Sequence, residues 1–357
     1  MGILDTENIL KKLDPSGMMQ SINDLPDQVD NCWKQLQSYA VPTHYIKCNK
    51  VVILGMGGSA IGGDLTASLA LSSSKLPIHI HRDYNLPNFV DHETLVIAVS
   101  YSGTTEETLD GFNKAGELGA KLIAISTGGP IESLCRKYRA PIFKIEYGAM
   151  PRAALGYLFT SVIGVLNKLG IISLGQQEIP EAVKAMKNLQ KKIYFPTPTN
   201  QNQAKQLAQK IVNYIPVIMA SGTLSQVARR WKNQFNENAK QMSVFESFPE
   251  LCHNVIVGLD YPKKLNDKIF IISLESEFDH PRNQLRRNIV HQIFRKKGIA
   301  HDLIKVNTPQ SPLIEMLLMT LLGDYVSYYL SLLNNTDPTP VQAINFLKEK
   351  LSEAKDK

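Results

Sequence analysis

Cysteine is sparse in this chain, and what there is of it is scattered. Cys32, Cys48, Cys135 and Cys252 form no Cys-x-x-Cys pair, which excludes a zinc knuckle and a disulfide framework and leaves four reduced thiols as the expectation. A large excess of one charge is also missing: 39 Lys and Arg against 33 Asp and Glu give +6, spread along the chain with no basic tail. That balance suits small anionic ligands, and no nucleic-acid partner is expected. The opening MGILDTENIL lacks a basic n-region, a long apolar run and a small-residue cleavage site, so no secretory signal is expected and the cytoplasm is the expected compartment. An unbroken apolar run of membrane-spanning length is lacking as well. The most apolar stretch, Leu313 to Leu333, carries Glu315 and Asp324, so it reads as a buried or interface helix with no membrane contact. What remains is ordinary globular composition: 357 residues, 43% hydrophobic and 20% charged. On roughly 150 residues per domain, such a chain holds about two.

Along the chain, residues 5 to 40 read as polar helical segments. Val51-Val52-Ile53-Leu54 then runs into Gly55-Met56-Gly57-Gly58-Ser59 and a helix from Ala60 to Leu71: a buried strand, a glycine loop, a helix. The pattern recurs at Leu95 to Val99, followed by Ser100 to Glu107 and a helix to Leu118, and again at Lys121 to Ile125. Strands alternating with helices imply a parallel sheet covered on both faces. The segment KKIYFPTPTNQNQ marks a break, after which Pro216 to Ala220 and Lys268 to Ile272 each lead into a Ser-containing loop. The predicted fold class is therefore α/β with two related halves, each a parallel β-sheet flanked by helices. The expected divisions are 1–190, a linker over 191–204, and 205–357. Pro312 to Leu333 and a last helix, Pro340 to Leu351, are expected to pack across both halves.

A glycine loop between strand and helix brings backbone N–H groups to an anion at the positive helix end. Gly55-x-Gly57-x-x-Ala60, with Asp83 beyond it, also fits a dinucleotide fingerprint. The second loop argues against that reading, because Ser100, Ser102, Thr104 and Thr105 cluster aliphatic hydroxyls suited to a phosphomonoester. Helix capping explains such residues singly, but two such loops in one half favour binding.

Gly55-Met56-Gly57-Gly58-Ser59-Ala60, Ser100 to Thr108, Met150-Pro151-Arg152, Phe235-Asn236-Glu237-Asn238-Ala239-Lys240 and Pro249-Glu250-x-x-His253-Asn254 together resemble the bifunctional phosphoglucose/phosphomannose isomerases, enzymes of the sugar isomerase (SIS) fold. The likeness runs in order along the whole chain. It implies two SIS-type subdomains and a metal-independent isomerase interconverting fructose 6-phosphate with glucose 6-phosphate and mannose 6-phosphate through a cis-enediol, with no cofactor and no metal. By the same resemblance Glu237 would shuttle the proton, His253 would assist ring opening with Lys348, and Arg152 would stabilise the enediolate. Gly57, Gly58 and Ser59 would contact the sugar, while Ser100, Ser102 and Thr105 would bind phosphate. Thr339 would be the small hydroxyl residue linked to dual specificity, and Thr104 stands where relatives often carry Asn. A homodimer is also implied, with the histidine supplied across the interface and Leu313 to Leu333 as an interface candidate.

Each of these residues has an ordinary competing explanation. Glu237, flanked by Asn236 and Asn238, reads on its own as an acid in a polar turn, His253 as a half-buried histidine beside Val255, and Lys348 as one lysine of a solvated face. His79-x-His81 puts two imidazoles on one face of a strand with no third ligand nearby in sequence. The alternative function is an SIS-fold sugar-phosphate-binding sensor without catalysis; a dinucleotide-dependent oxidoreductase is a third reading. The isomerase is favoured because Glu237, His253 and Arg152 are all present.

Overall fold

The computed structural model describes residues 2–307 and 309–355. Two parallel sheets organise it. The first is built from β1 (Lys50–Leu54), β2 (Ile78–His81), β3 (Thr94–Val99), β4 (Lys121–Ser126) and β5 (Ile142–Lys144), in the order β2-β1-β3-β4-β5. The second contains β6 (Ile215–Ala220), β7 (Val244–Ser247), β8 (Ile269–Leu274) and β9 (Ala300–Ile304), in the order β7-β6-β8-β9. In both, the first strand is flanked by the second on one side and the third on the other, so strand order reverses at β1/β3 and at β6/β8. Crevices at such reversals are where open α/β sheets bind ligands. The two α/β halves read from the sequence are thus observed.

The continuous apolar runs of the central strands follow from burial on both faces. Val51 and Ile53 of β1, with Leu95, Ile97 and Val99 of β3, face a central core. Their neighbours Val52, Leu54, Val96 and Ala98 face a separate outer cluster with Phe112 and Ile131. The second sheet repeats the division: Phe270, Ile272 and Leu274 point to the central core, Ile269 and Ile271 to an outer cluster with Val290 and Phe294. A shared helical layer therefore lies between the sheets.

Its axis is the helix Pro312–Leu333, buried from Leu313 to Leu332. The Trp231 indole donates to the Met319 carbonyl at 2.8 Å, and any side chain at Gly323 would collide with the Trp231 ring, so glycine there sets the closeness of the two helices. The hydroxyls of Tyr328 and Tyr329 reach Asp14 (2.9 Å) and the Ile193 carbonyl (2.6 Å), tying this helix to the N-terminal helices and to Glu178–Ile193. The apolar stretch is thus the core helix of the chain itself. This corrects the expectation of an interface at Leu313 to Leu333, because its surface is already covered within one chain. The last helix, Gln342–Lys355, likewise does not pack across the halves: it is exposed from Gln342 to Ala354, since the seam between the sheets is filled by Pro312–Leu333. Its Ile344, Leu347 and Leu351, spaced to share one helical face, stand in solvent.

Candidate active site

The helix after β1 begins earlier than the sequence implied. It spans Gly57–Ala70, so Gly58 and Ser59 lie in its first turn, and Gly57 takes a φ of +50°, a conformation that glycine adopts without a Cβ penalty. Ser59 Oγ accepts from the Tyr101 N–H at 3.3 Å, joining this turn to the loop after β3. In that loop Ser100 Oγ donates to Thr105 Oγ1 (3.1 Å), and Ser102 and Thr104 share a hydroxyl contact of 2.8 Å. Thr105 is the N-cap of helix Glu106–Glu117, so the hydroxyls stand before a helix N-terminus. Gly103, with a φ of +65°, packs so closely on the Gly128 carbonyl that a side chain there would collide with it. Ser100 is fully buried, whereas Ser102 and Thr104 are exposed. The result is a fixed cup of hydroxyls and backbone N–H groups at the β1/β3 reversal, with the chemistry of a phosphate cradle.

The same loop reaches the next component. Tyr101 hydrogen-bonds through its hydroxyl to the Tyr147 carbonyl and accepts from the Ala149 N–H at 2.9 Å, which holds the approach to the short helix Pro151–Ala153. A Cβ on Gly58 would lie 3.0 Å from the Arg152 nitrogen. Glycine at 58 is what lets Arg152 sit against the glycine turn.

Arg152 is 3% exposed, and its Nε and Nη2 are committed to hydrogen bonds while Nη1 faces Glu237. Nε donates to Asn238 Oδ1 (2.7 Å), Nη2 to the carbonyls of Pro338 (2.7 Å) and Thr339 (2.9 Å), and Nη1 lies 3.7 Å from Glu237 Oε2. Burial holds its pKa below the ordinary guanidinium value, with Glu237 and Asp337 opposing and Arg230 adding to the effect. Behind it, Arg230 donates to the Arg152 carbonyl at 3.0 Å and pairs with Asp324 at 2.6 Å, while Gln234 donates to the other Asp324 oxygen at 3.0 Å.

Glu237 is the last residue of helix Ser225–Glu237. Asn238 follows it, fully buried, donating to Ser327 Oγ at 2.9 Å. The Glu237 side chain keeps 27% of its surface, so the carboxylate is held beside a buried cation yet open on one side. That open side meets a cavity of about 490 Å³ also lined by Lys240, Asp337, Pro340 and Gln342. Desolvation, then the nearby Arg152, lower the Lys240 ammonium to about 8. A carboxylate beside an immobilised guanidinium can take a proton from carbon while the cation stabilises the oxyanion that forms.

The remaining sequence-based candidates are not gathered here. His253 ends the short helix Glu250–His253 and is exposed, and Lys348 is exposed on the last helix. His79 and His81 sit on β2 at the sheet edge, ring centroids 6.2 Å apart. Reasoning from the sequence missed Asn238, Lys240, Arg230 and Asp324. The first two lie within the Phe235–Lys240 block, and an acid in the middle of an apolar run was the available sign of the third and fourth. Thr339 Oγ1 is buried with no hydrogen-bond partner among the described residues.

Comparison with known proteins fits this arrangement. The SIS domain family matches residues 44–145, and the family described as bacterial phospho-glucose isomerase C-terminal SIS domain matches residues 200–351. A bifunctional phosphoglucose/phosphomannose isomerase of Caldicellulosiruptor bescii is 41% identical over 95% of this chain and 100% of its own. One from Aquifex aeolicus is 34% identical over 84% and 90%. Among solved structures, a hypothetical protein of Thermus thermophilus shares the fold with a TM-score of 0.74 over 97% of this chain and 92% of its own, at 16% identity. The chain belongs to the bifunctional phosphoglucose/phosphomannose isomerase family of the SIS fold.

Proposed function

We infer that this chain interconverts fructose 6-phosphate with glucose 6-phosphate and mannose 6-phosphate through a cis-enediol. The observation that carries the reading is the Arg152 guanidinium fixed 3.7 Å from the Glu237 carboxylate, with the Arg152 backbone against the glycine turn that Ser59 joins to the hydroxyl loop. Ser100, Ser102 and Thr105 hold the phosphate, and Gly57, Gly58 and Ser59 line the sugar. Glu237 removes the proton from C2 of the open-chain aldose, the electron pair moves onto the carbonyl oxygen, and Arg152 stabilises the enediolate. Return of that proton to C1, with the O2 hydroxyl proton passing to O1, gives the ketose. Glucose and mannose 6-phosphates differ only at C2, so one base serves both when the C2–C3 bond rotates in the pocket.

Ring opening falls to His253 with Lys348. Both are exposed in a single chain, which supports a homodimer in which a neighbouring subunit completes the site. The same reading divides the chain into 1–190, a linker over 191–204 and 205–357, and places the enzyme in cytoplasmic carbohydrate metabolism, in glycolysis or gluconeogenesis.

The test is a coupled assay on fructose 6-phosphate that scores both aldose products with and without EDTA, repeated on Glu237→Gln. Formation of both products untouched by chelation, with a loss of about 10²–10⁴ in kcat for the variant, is expected. Binding without turnover in the unmodified chain would move it to the sensor class.

A further inference from the structure

Lys240 combines three features that the proton shuttle alone does not require. It adopts a φ of +53°, uncommon for a residue with a side chain. Its Nζ bridges two carbonyls, Glu237 at 2.6 Å and Pro338 at 3.1 Å. The Pro338 carbonyl is also the one taken by Arg152 at 2.7 Å, so two cations converge on a single peptide oxygen. Glu237 ends the helix that carries the base, and Pro338 lies in the segment from which the exposed last helix departs. That helix is exposed along its length, so these bonds, with the Arg152 bond to Thr339 and the Thr339 N–H on Asp337 (2.8 Å), determine where it starts.

We propose that Lys240 is a positioning residue for the isomerase, its ammonium clamping the end of the Glu237 helix to the segment that launches the C-terminal helix. The proposal rests on the reading of Glu237 as the base. A glycine would meet the backbone angle at lower cost, so an unused side chain at this position would leave the strain without purpose. Charge makes the clamp strong, because an ammonium donating to carbonyls forms shorter and stronger bonds than a neutral amine. The charged groups facing Nζ are Arg152 on the short helix Pro151–Ala153, Glu237 at its own helix end and Asp337 on the Pro338 segment. Arg152 disfavours the ammonium, while Glu237 and Asp337 favour it. With a pKa of about 8, the clamp is charged at neutral pH and loses its charge on mild alkalinisation. This gives the isomerase a basic limb that belongs to Lys240.

The experiment measures kcat and KM for fructose 6-phosphate from about pH 6 to about pH 9.5 on the full-length wild type and on Lys240→Met, Lys240→Arg and Glu237→Gln, with thermal unfolding of each. Lys240→Met is expected to lower kcat by about 10²-fold with KM within about twofold, the pattern of misplaced groups and intact substrate binding. Lys240→Arg is expected to restore most of kcat at neutral pH and to remove the limb near pH 8, because a guanidinium stays charged throughout. A Lys240→Met enzyme with wild-type kcat, or a Lys240→Arg profile that still falls near pH 8, overturns the proposal. Should Lys240→Met fail to fold, the wild-type and Lys240→Arg profiles decide alone. An active Glu237→Gln enzyme would instead refute the base assignment, whereas an inactive one beside a fully active Lys240→Met would refute only the clamp.

Discussion

Asp324→Asn tests whether the site depends on the buried charge behind it. Asp324 is 3% exposed and accepts from both Arg230 and Gln234, while Arg230, 2% exposed, also donates to the Arg152 carbonyl. Burial raises the Asp324 pKa and the Arg230 guanidinium opposes that rise, so each charge depends on the other. Neutralising one member of such a pair leaves the other buried and uncompensated, at a cost of about 3–5 kcal/mol. An Asn oxygen still accepts one hydrogen bond, which places the expected loss near the lower end, about 3 kcal/mol. At roughly 1.3 °C per kcal/mol for a chain of this size, the melting temperature should fall by about 4 °C. Replacing the group as a unit, Arg230→Met with Gln234→Leu and Asp324→Leu, removes the desolvated charges and should recover most of that loss. It should not recover turnover, because the Arg152 carbonyl still lacks its donor. Differential scanning calorimetry and kcat on the same preparations separate the two effects. An unchanged melting temperature in Asp324→Asn, or wild-type kcat in the triple variant, would refute the reasoning.

Two further perturbations probe other links. In Gly58→Ala the new Cβ would stand 3.0 Å from the Arg152 nitrogen and 3.1 Å from its Cα, backbone atoms that cannot step aside without moving Arg152. We expect kcat to fall by about 10²-fold while Gly148→Ala, with open space around it, changes nothing; equal activity of the two would sink the close-approach argument. Glu315, 1% exposed and hydrogen-bonded to Ser276, has its pKa raised from 4.5 to about 7, mainly by desolvation. The unfolded chain releases this proton first, so stability should decline by up to about 3 kcal/mol as pH rises from about 4.5 to about 7 and then level off. Glu315→Gln should flatten that slope in melting curves taken at acidic and alkaline pH, and an identical slope would exclude Glu315 as its source.

Local pattern made the fold legible where burial is periodic or continuous. The runs at Val51 and Leu95 are strands because both faces are covered, and their glycine and hydroxyl loops declare the reversal point between β1 and β3. Arg152 and Glu237 were visible, and placed in one site, through motif resemblance alone; what holds them together, Arg230 bound to both the Arg152 carbonyl and Asp324, has no local sequence signature. The fate of that helix was ambiguous for the same reason. An apolar stretch with two acids fits an interface as well as a core until Arg230 and Ser276 are seen to satisfy those acids. The last helix misled because its apolar stripe asks for a partner that the chain itself does not provide.

The duplication in the fold is not a duplication of the site, and the reason is electrostatic. In the first half the loop after β3 carries the hydroxyls of Ser100, Ser102, Thr104 and Thr105, with no ion pair among them. The matching place in the second half, beyond β6 and β8, is filled from within: Asp279 lies against Gly222, where a Cβ would stand 3.2 Å from its Oδ1. Arg287, 1% exposed, is held there by Asp279 at 2.7 Å and Glu275 at 3.1 Å. A carboxylate of the chain thus occupies the anion position and its countercharge is already paired, so a phosphate would have to displace a buried ion pair to enter. In the second half the helix after β6 serves another task. It runs on through the Arg230 anchor to end at Glu237, delivering a carboxylate to Arg152, whose backbone lies against the glycine turn of the first half. In the proposed function one half would hold the anion and the other would bring the base, an arrangement that two identical halves would not provide.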